Sequence, residues 1–382
     1  MKKIFGIVLA VCLLLSLVAC GGNGASQAAA TMKIGGLAPL TGAVAQYGID
    51  ASNGAKLAVE EVNANGGVLG QQVEFILEDD QHDPTTAVNG YNKLVQQDNV
   101  VALWGPVTTT PSMAVANRAA EDGIPMISPT ATGAGLTDIG SNIFRVCFID
   151  PYQGYLLANY ASEILEASTA AILFDNGDDY SQGIADAFEA ACGVLGVTIT
   201  AREAYTGDVS DFNAQLTKIG EGSPDVILVP CYYETVALVV SQARALGIDV
   251  PFLGGDGWSG VLDKVSDAEV LNNCFYSSGF SAESPTAALQ KFMDDYKAAY
   301  NSEVSMFAVQ GYEAMMMLCQ AIEAAGTTDS DAVVAAIKAI EFLGLDGGIV
   351  SFPENNDPNR AAYIISFVDG AETLWGAYSP AA

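Results

Sequence analysis

Apolar and polar positions alternate along the chain with a period that switches between strand-like and helix-like. MKIGGLAP, from Met32, reads as a buried strand, and YGIDASNGAKLAVEEVNANGG as an amphipathic helix stopped by glycine. VEFILEDD is then a strand, PTTAVNGYNKLVQQ a helix and VVALWG a strand. TTTPSMAVANRAAEDG predicts a helix with Thr110 as N-cap and Pro111 at its first position, and PMISP a strand. Beyond Asp150 the rhythm restarts. YQGYLLANYASEILEA, SQGIADAFEAACGVLG, DFNAQLTKIGEG and YETVALVVSQARALG predict helices, with AAILFD, VTIT, DVILVP and PFLGG as strands between them. Strands alternating with helices of this length predict right-handed βαβ units, so the fold class is α/β, with two doubly wound parallel-sheet lobes.

The first residues depart from this rhythm. Lys2 and Lys3 precede an apolar run from Ile4 to Val18, and Leu17-Val18-Ala19-Cys20 has the form of a bacterial lipoprotein lipobox. The run is short for a membrane span, and a polar stretch follows it. An uncleaved anchor and a plain secretory signal are the alternatives, but small residues and cysteine fall where the processing chemistry needs them. Residues 1–19 are therefore expected to be a signal peptide, Cys20 the lipidated first residue of the mature chain, and 20–31 a flexible linker. That places the protein outside the cytoplasm, tethered to the cell membrane, on the outer face of a Gram-positive cell or in a periplasm.

Charge narrows the partners. The formal net charge is −30, and removal of the signal, with two lysines and no acid, takes it to −32. Such a surface repels nucleic acid and anionic lipid and does not steer anions inward. A neutral zwitterion or a cation is the easier ligand. About 360 mature residues exceed one core, consistent with two lobes. Beyond Cys20 there are five cysteines, Cys147, Cys192, Cys231, Cys274 and Cys319, an odd number set singly in apolar surroundings, which predicts mostly free, buried thiols.

Ligands of open α/β sheets bind beyond the carboxyl ends of the strands. Those segments run from 38 to 47, 105 to 110, 128 to 132, 175 to 180, 230 to 233 and 254 to 257. They are rich in Thr, Tyr, Gly and Asp and hold no Lys, Arg or His. Such a set suits polar recognition better than acid–base or nucleophilic chemistry, so no enzyme activity, metal or cofactor is expected. Gly255-Asp256-Gly257-Trp258-Ser259-Gly260 matches GxGxxG. It lies late in the second run, however, and Asp256 would set a negative charge beside a pyrophosphate. An acidic ligand contact is the favoured reading, with a plain tight turn as the alternative. Thr108-Thr109-Thr110-Pro111 opens a helix, where free N–H groups and the dipole suit a carboxylate, although simple N-capping accounts for part of it. Asp79-Asp80-Gln81-His82-Asp83 contains the chain's only histidine, lacks calcium-loop spacing and reads as a solvated strand-end loop.

Lipobox and linker, KIGGLAPLTGAVAQYGIDASNGAKLAVEEVNANGGVLG, LEDDQHDPTTAV, GPVTTTPS and MISPTAT, then LFDNGDDYSQG, PCYYE, FLGGDG and FAVQGYEA, together closely resemble the periplasmic leucine/isoleucine/valine-binding proteins of ABC importers. The likeness covers essentially the whole mature chain. It implies a type I periplasmic binding fold with residues 32–150 and 280–359 in a first lobe, 151–279 and 360–382 in a second, and crossovers near Asp150, Gly279 and Asn359. It implies that Thr109 and Thr132, with the backbone at Thr130, hold an amino acid carboxylate. Tyr180, Tyr232 and Asp256 would close from the second lobe, Asp256 opposite the ammonium, while Tyr47 and Phe307 border the side-chain pocket. Some members carry serine at the position of Thr109, glutamate at that of Asp256, and a disulfide joining the positions of His82 and Thr108, which is absent here. The implied role is capture of a neutral, branched-chain or aliphatic amino acid and its delivery to an ABC permease. An amino acid sensor serving a separate signalling protein is the alternative.

Overall fold

Short apolar runs punctuated by glycine and proline fold into two sheets, and the longer amphipathic runs become the helices that cover them. The structure is a computed structural model that describes residues 31–377 apart from 208, 284 and 353–354. The signal segment, Cys20 and the linker up to residue 30 lie outside the described residues.

The first sheet has the order β2-β1-β3-β4-β5, built from β1 (Thr31–Ala38), β2 (Gln72–Asp79), β3 (Ala102–Trp104), β4 (Met126–Ser128) and β5 (Ile143–Arg145). The β1–β3, β3–β4 and β4–β5 pairs are parallel, with Ile34 opposite Ala102 and Leu103 opposite Met126. Helices α1 (Ala45–Ala64), α2 (Pro84–Lys93) and α3 (Thr109–Asp122) connect its strands. After β5 come α4 (Asp150–Asn159), β6 (Thr169–Asp175), α5 (Asp179–Leu195), β7 (Thr198–Tyr205), α6 (Asn213–Glu221), β8 (Val226–Leu228), α7 (Tyr233–Ala245), β9 (Phe252–Gly254) and β10 (Cys274–Ser278). The chain then runs through α8 (Ala287–Tyr300), α9 (Met306–Ala325), α10 (Ser330–Lys338) and the small pair β11 (Phe342–Leu343) and β12 (Ile349–Val350). It ends with β13 (Tyr363–Val368) and β14 (Ala371–Ala377). The second sheet has the order β14-β13-β10-β9-β8-β6-β7.

Three features depart from the sequence expectation. The second sheet is mixed, since β13 runs antiparallel to both β10 and β14. The two-residue turn Asp369-Gly370, with φ of +51° and +76°, reverses the chain between them. The strand Ile143–Arg145 was not expected. The helices expected over 84–97 and 152–167 end in wider π-type turns at Leu94–Asp98 and Tyr160–Ile164.

Helix α9 covers the first sheet. Trp104, fully buried on β3, donates its indole N–H to Gly311 O at 3.0 Å. Where α9 crosses α1, a Cβ on Gly54 would lie 1.9 Å from Ala308 O, and one on Gly311 2.1 Å from Ala51 O. Only glycine admits that approach. The five cysteines expected as free thiols are unpaired and buried. Among the described residues no helix is long and apolar enough to cross a membrane.

Candidate ligand-binding site

The carboxyl edges of β3 and β4 are tied together by side-chain hydroxyls. Pro106 O accepts hydrogen bonds from Ser112 Oγ (3.0 Å) and Ser128 Oγ (2.6 Å), and Thr130 Oγ1 donates to Val107 O at 2.6 Å. Gly133 N donates to Thr109 Oγ1 at 3.2 Å. These bonds gather Thr109, Thr130 and Thr132, all buried, into one wall. Helix α3 starts at Thr109, so Thr108 rather than Thr110 is its N-cap, and Thr110 lies within the first turn. Thr108 makes no side-chain cap, and its hydroxyl lies 2.9 Å from His82 Nδ1. At the start of α3 Pro111 has no N–H and Ser112 N donates to Thr108 O at 3.1 Å, which leaves the N–H groups of Thr109 and Thr110 without intrahelical partners.

Helix α5 brings Tyr180 from the other side. Asp178 caps that helix, accepting from Tyr180 N at 2.7 Å. The Tyr180 hydroxyl accepts from Gly257 N at 2.8 Å, and its ring stacks on Tyr232 with centroids 4.9 Å apart. Phe307, in the first turn of α9, stacks on Tyr47 of α1 at 4.3 Å. The Tyr47 hydroxyl donates to Gly257 O at 2.5 Å and accepts from Tyr233 N at 3.1 Å, joining α1 to the edge of the second sheet. The GxGxxG segment is a short 3₁₀ turn after β9, anchored by the buried Trp258, whose Nε1 donates to Val229 O at 2.8 Å. A Cβ on Gly255 or Gly257 would approach the Tyr180 hydroxyl to 2.6 or 2.8 Å. Those glycines admit a tyrosine.

All eight residues singled out from the sequence, Tyr47, Thr109, Thr130, Thr132, Tyr180, Tyr232, Asp256 and Phe307, line one cavity with Val107, Thr108 and Gly257. The cavity volume is about 10 Å³, room for one water. Asp256 is the only charged side chain on its lining and is 3 % exposed. Burial pushes its carboxyl up to about 6, against opposing hydrogen bonds from Gln153 and Tyr180. Burial likewise raises the phenols of Tyr47, Tyr180 and Tyr232, which stay neutral. A threonine wall with a helix N-terminus, one carboxylate opposite and aromatic rings between can hold a carboxylate, a cation and an apolar body at once.

Two residues behind Asp256 were missed. Gln153 Nε2 lies 3.1 Å from Asp256 Oδ1 and 3.2 Å from Asp150 Oδ1. Both belong to the first turn of α4, where an acid and a glutamine look like an ordinary helix start. His82 also differs from its expected solvated loop. It is half-buried, with Nε2 3.5 Å from Asp178 Oδ2 and its ring edge-on to Tyr232 at 5.3 Å. Beside it Asp80 is wholly buried, and burial pushes its carboxyl up to about 7.

A family model for periplasmic binding proteins matches residues 31–372. The chain belongs to the periplasmic binding protein family. A Leu/Ile/Val-binding protein of Rhizobium johnstonii is 34 % identical over 336 residues, 87 % of this chain and 90 % of that one. Among solved structures, a leucine-binding protein from Thermotoga maritima is 30 % identical with a TM-score of 0.86, over 91 % of this chain and 99 % of that one. A branched-chain amino acid transporter substrate-binding protein from Streptococcus pneumoniae, solved with isoleucine, is 35 % identical with a TM-score of 0.84, over 90 % and 99 %. Family membership accounts for the type I fold, makes the setting extracytoplasmic, and groups the chain with substrate-binding proteins rather than enzymes.

Proposed function

We propose that this protein captures a neutral amino acid, branched-chain or otherwise aliphatic, and delivers it to an ABC permease. The observation that carries this reading is the single cavity that joins the threonine wall, the aromatic rings and Asp256. The ligand carboxylate would lie against Thr109, Thr132 and the Thr130 backbone at the start of α3. Its ammonium would face Asp256, and its side chain would sit among Tyr47, Tyr180, Tyr232 and Phe307. Relatives whose names specify leucine, isoleucine and valine support the aliphatic choice. Leucine has nine heavy atoms, far more than the room for one water, so uptake would part the two sheets or turn the lining rings. Lobes 32–150 with 280–359, and 151–279 with 360–382, would open about the crossovers near Asp150, Gly279 and Asn359.

The test is a thermal-shift screen of the twenty amino acids followed by calorimetry. A ligand at a hundredfold excess over its Kd raises stability by about 2.7 kcal/mol. Selective binding of a sugar, or of an anion without an amino group, would sink the reading. The proposal includes a lipid anchor at Cys20. Cys20→Ser should move the protein from the membrane fraction to the soluble one, and retention through washing would place the anchor elsewhere.

A further inference from the structure

Gln153 stands between two buried carboxylates, and its orientation is set. Its Oε1 accepts from Asp256 N at 2.9 Å and from Ser277 Oγ at 2.6 Å. The amide nitrogen must therefore face the other way, where it meets Asp256 Oδ1 at 3.1 Å and Asp150 Oδ1 at 3.2 Å. Asp150 is 0 % exposed, and its backbone N–H donates to Thr132 O at 2.9 Å, next to the threonine wall.

The ionisable groups facing this pair offset its charge only in part, through one cation. They are Cys147 between β5 and α4, Asp178 and Tyr180 from α5, Tyr47 from α1, and Arg145 at the end of β5. Arg145 is the one cation among them; its Nε donates to Asp357 at 2.7 Å and its Nη1 to the carbonyls of Ala131 and Gly133 at 2.9 and 2.8 Å, and its buried Nη2 bonds neither Asp150 nor Asp256. Two buried carboxylates joined through one neutral amide do not both carry a full charge.

We propose that Asp150, acting through Gln153, keeps one proton in the Asp150–Asp256 pair of the ligand-free protein, and that an entering ammonium group expels this proton to solvent. Asp150 is thus a positioning residue: it touches no ligand and sets the charge of the residue that does. The inference rests on reading Asp256 as the ammonium site. Burial supports it, pushing Asp256 up to about 6 and Asp150 well above the usual carboxylate range. The reaction balances: the ammonium replaces the proton as the counter-charge, and the buffer takes the proton up. Ligand affinity then rises with pH wherever the proton is held, by at most roughly tenfold per unit for one proton.

The experiment is calorimetry of the mature protein with L-leucine in phosphate and in imidazole at pH 6.5, with Kd measured from pH 5 to 8. The heats should differ between buffers by an amount equal to release of about half to one proton, and Kd should fall with rising pH. In Asp150→Asn the release should vanish and the pH profile flatten. Tight leucine binding with no proton released and a flat profile overturns the inference and leaves the reading of the site intact. Release that persists in Asp150→Asn overturns the role of Asp150. Failure of all twenty amino acids to bind sinks the site reading and this inference with it. If Asp150→Asn does not fold, carbon NMR of the wild type labelled at aspartate carboxyls decides. A carboxyl other than Asp80 that titrates above the usual range without leucine, and ceases to do so with it, is the expected result; its absence overturns the proposal.

Discussion

Among the described residues Asp256 has no basic side chain as a partner, and it sits 3 % exposed. Truncating one member of a desolvated charge pair costs about 2–5 kcal/mol. Asp256→Asn should therefore weaken leucine binding at least roughly thirtyfold, using about 1.4 kcal/mol per tenfold. The ligand-free melting temperature should hold or rise slightly, because burial opposes the charge that the substitution removes. Titration and a melt without ligand test both, and unchanged affinity would make Asp256 a structural residue. Asp256 and Thr109 were legible in the sequence because each stands at a strand's carboxyl end, where its residue type has little local explanation. Asp150 and Gln153 were not, since folding alone brings Gln153 to a residue 103 positions away. The cap of α3 was misplaced because Pro111 signals a helix start, whereas the contact of Thr108 with His82, 26 residues away, is invisible locally.

Between elements, the crossing of α1 and α9 leaves no room for a methyl group. Gly311→Ala would set a Cβ 2.1 Å from Ala51 O, and overpacking of this kind costs about 1–3 kcal/mol. The variant should melt lower. It should also bind leucine more weakly, because Phe307 lies on the same helix one turn away; an unchanged melt would show that the helices separate freely. A second junction joins the loop after β2 to the cap of α5. There His82 meets Thr108 of the first sheet's edge and Asp178 of the second's. The pair is partly exposed, so its worth is at most about 1 kcal/mol. His82→Ala should then weaken leucine binding about two- to fivefold, seen in a titration, and equal affinity would remove His82 from closure. At this level the βαβ rhythm was plain from the switching period. The antiparallel hairpin at the end was not read, although Asp369-Gly370 carries the turn signal, because no strand was read beyond PFLGG.

For the molecule as a whole, buried acids and surface acids pull stability in opposite directions. Burial raises Asp256 to about 6 and Asp80 to about 7, and raises Asp50, Asp150, Asp175 and Glu372 above their ordinary values. The folded state therefore binds more protons than the unfolded one between about pH 4 and 7, and stability is lost as pH rises through that window. Hydrogen bonds hold Asp83, Asp211 and Asp225 below the usual range, and they do the same for Asp79 against its burial; the stability they contribute is lost only as pH falls below about 4. Acidification also relieves self-repulsion in a chain of net charge −30. The ligand-free protein should melt at least about 2 °C higher at pH 5 than at pH 8 and lose this advantage below pH 4; a melting temperature that climbs steadily to pH 8 would contradict it. The interleaved path of the chain bears on how it is made. The first sheet is laid down by residue 145, yet Trp104 waits for Gly311 to receive its indole hydrogen, and β10 waits for β13 to cover its edge. Neither half can be completed while the ribosome still holds the last third of the chain. Contacts so distant in sequence form slowly. A chain whose family works outside the cytoplasm thus carries in its own topology a reason to fold late.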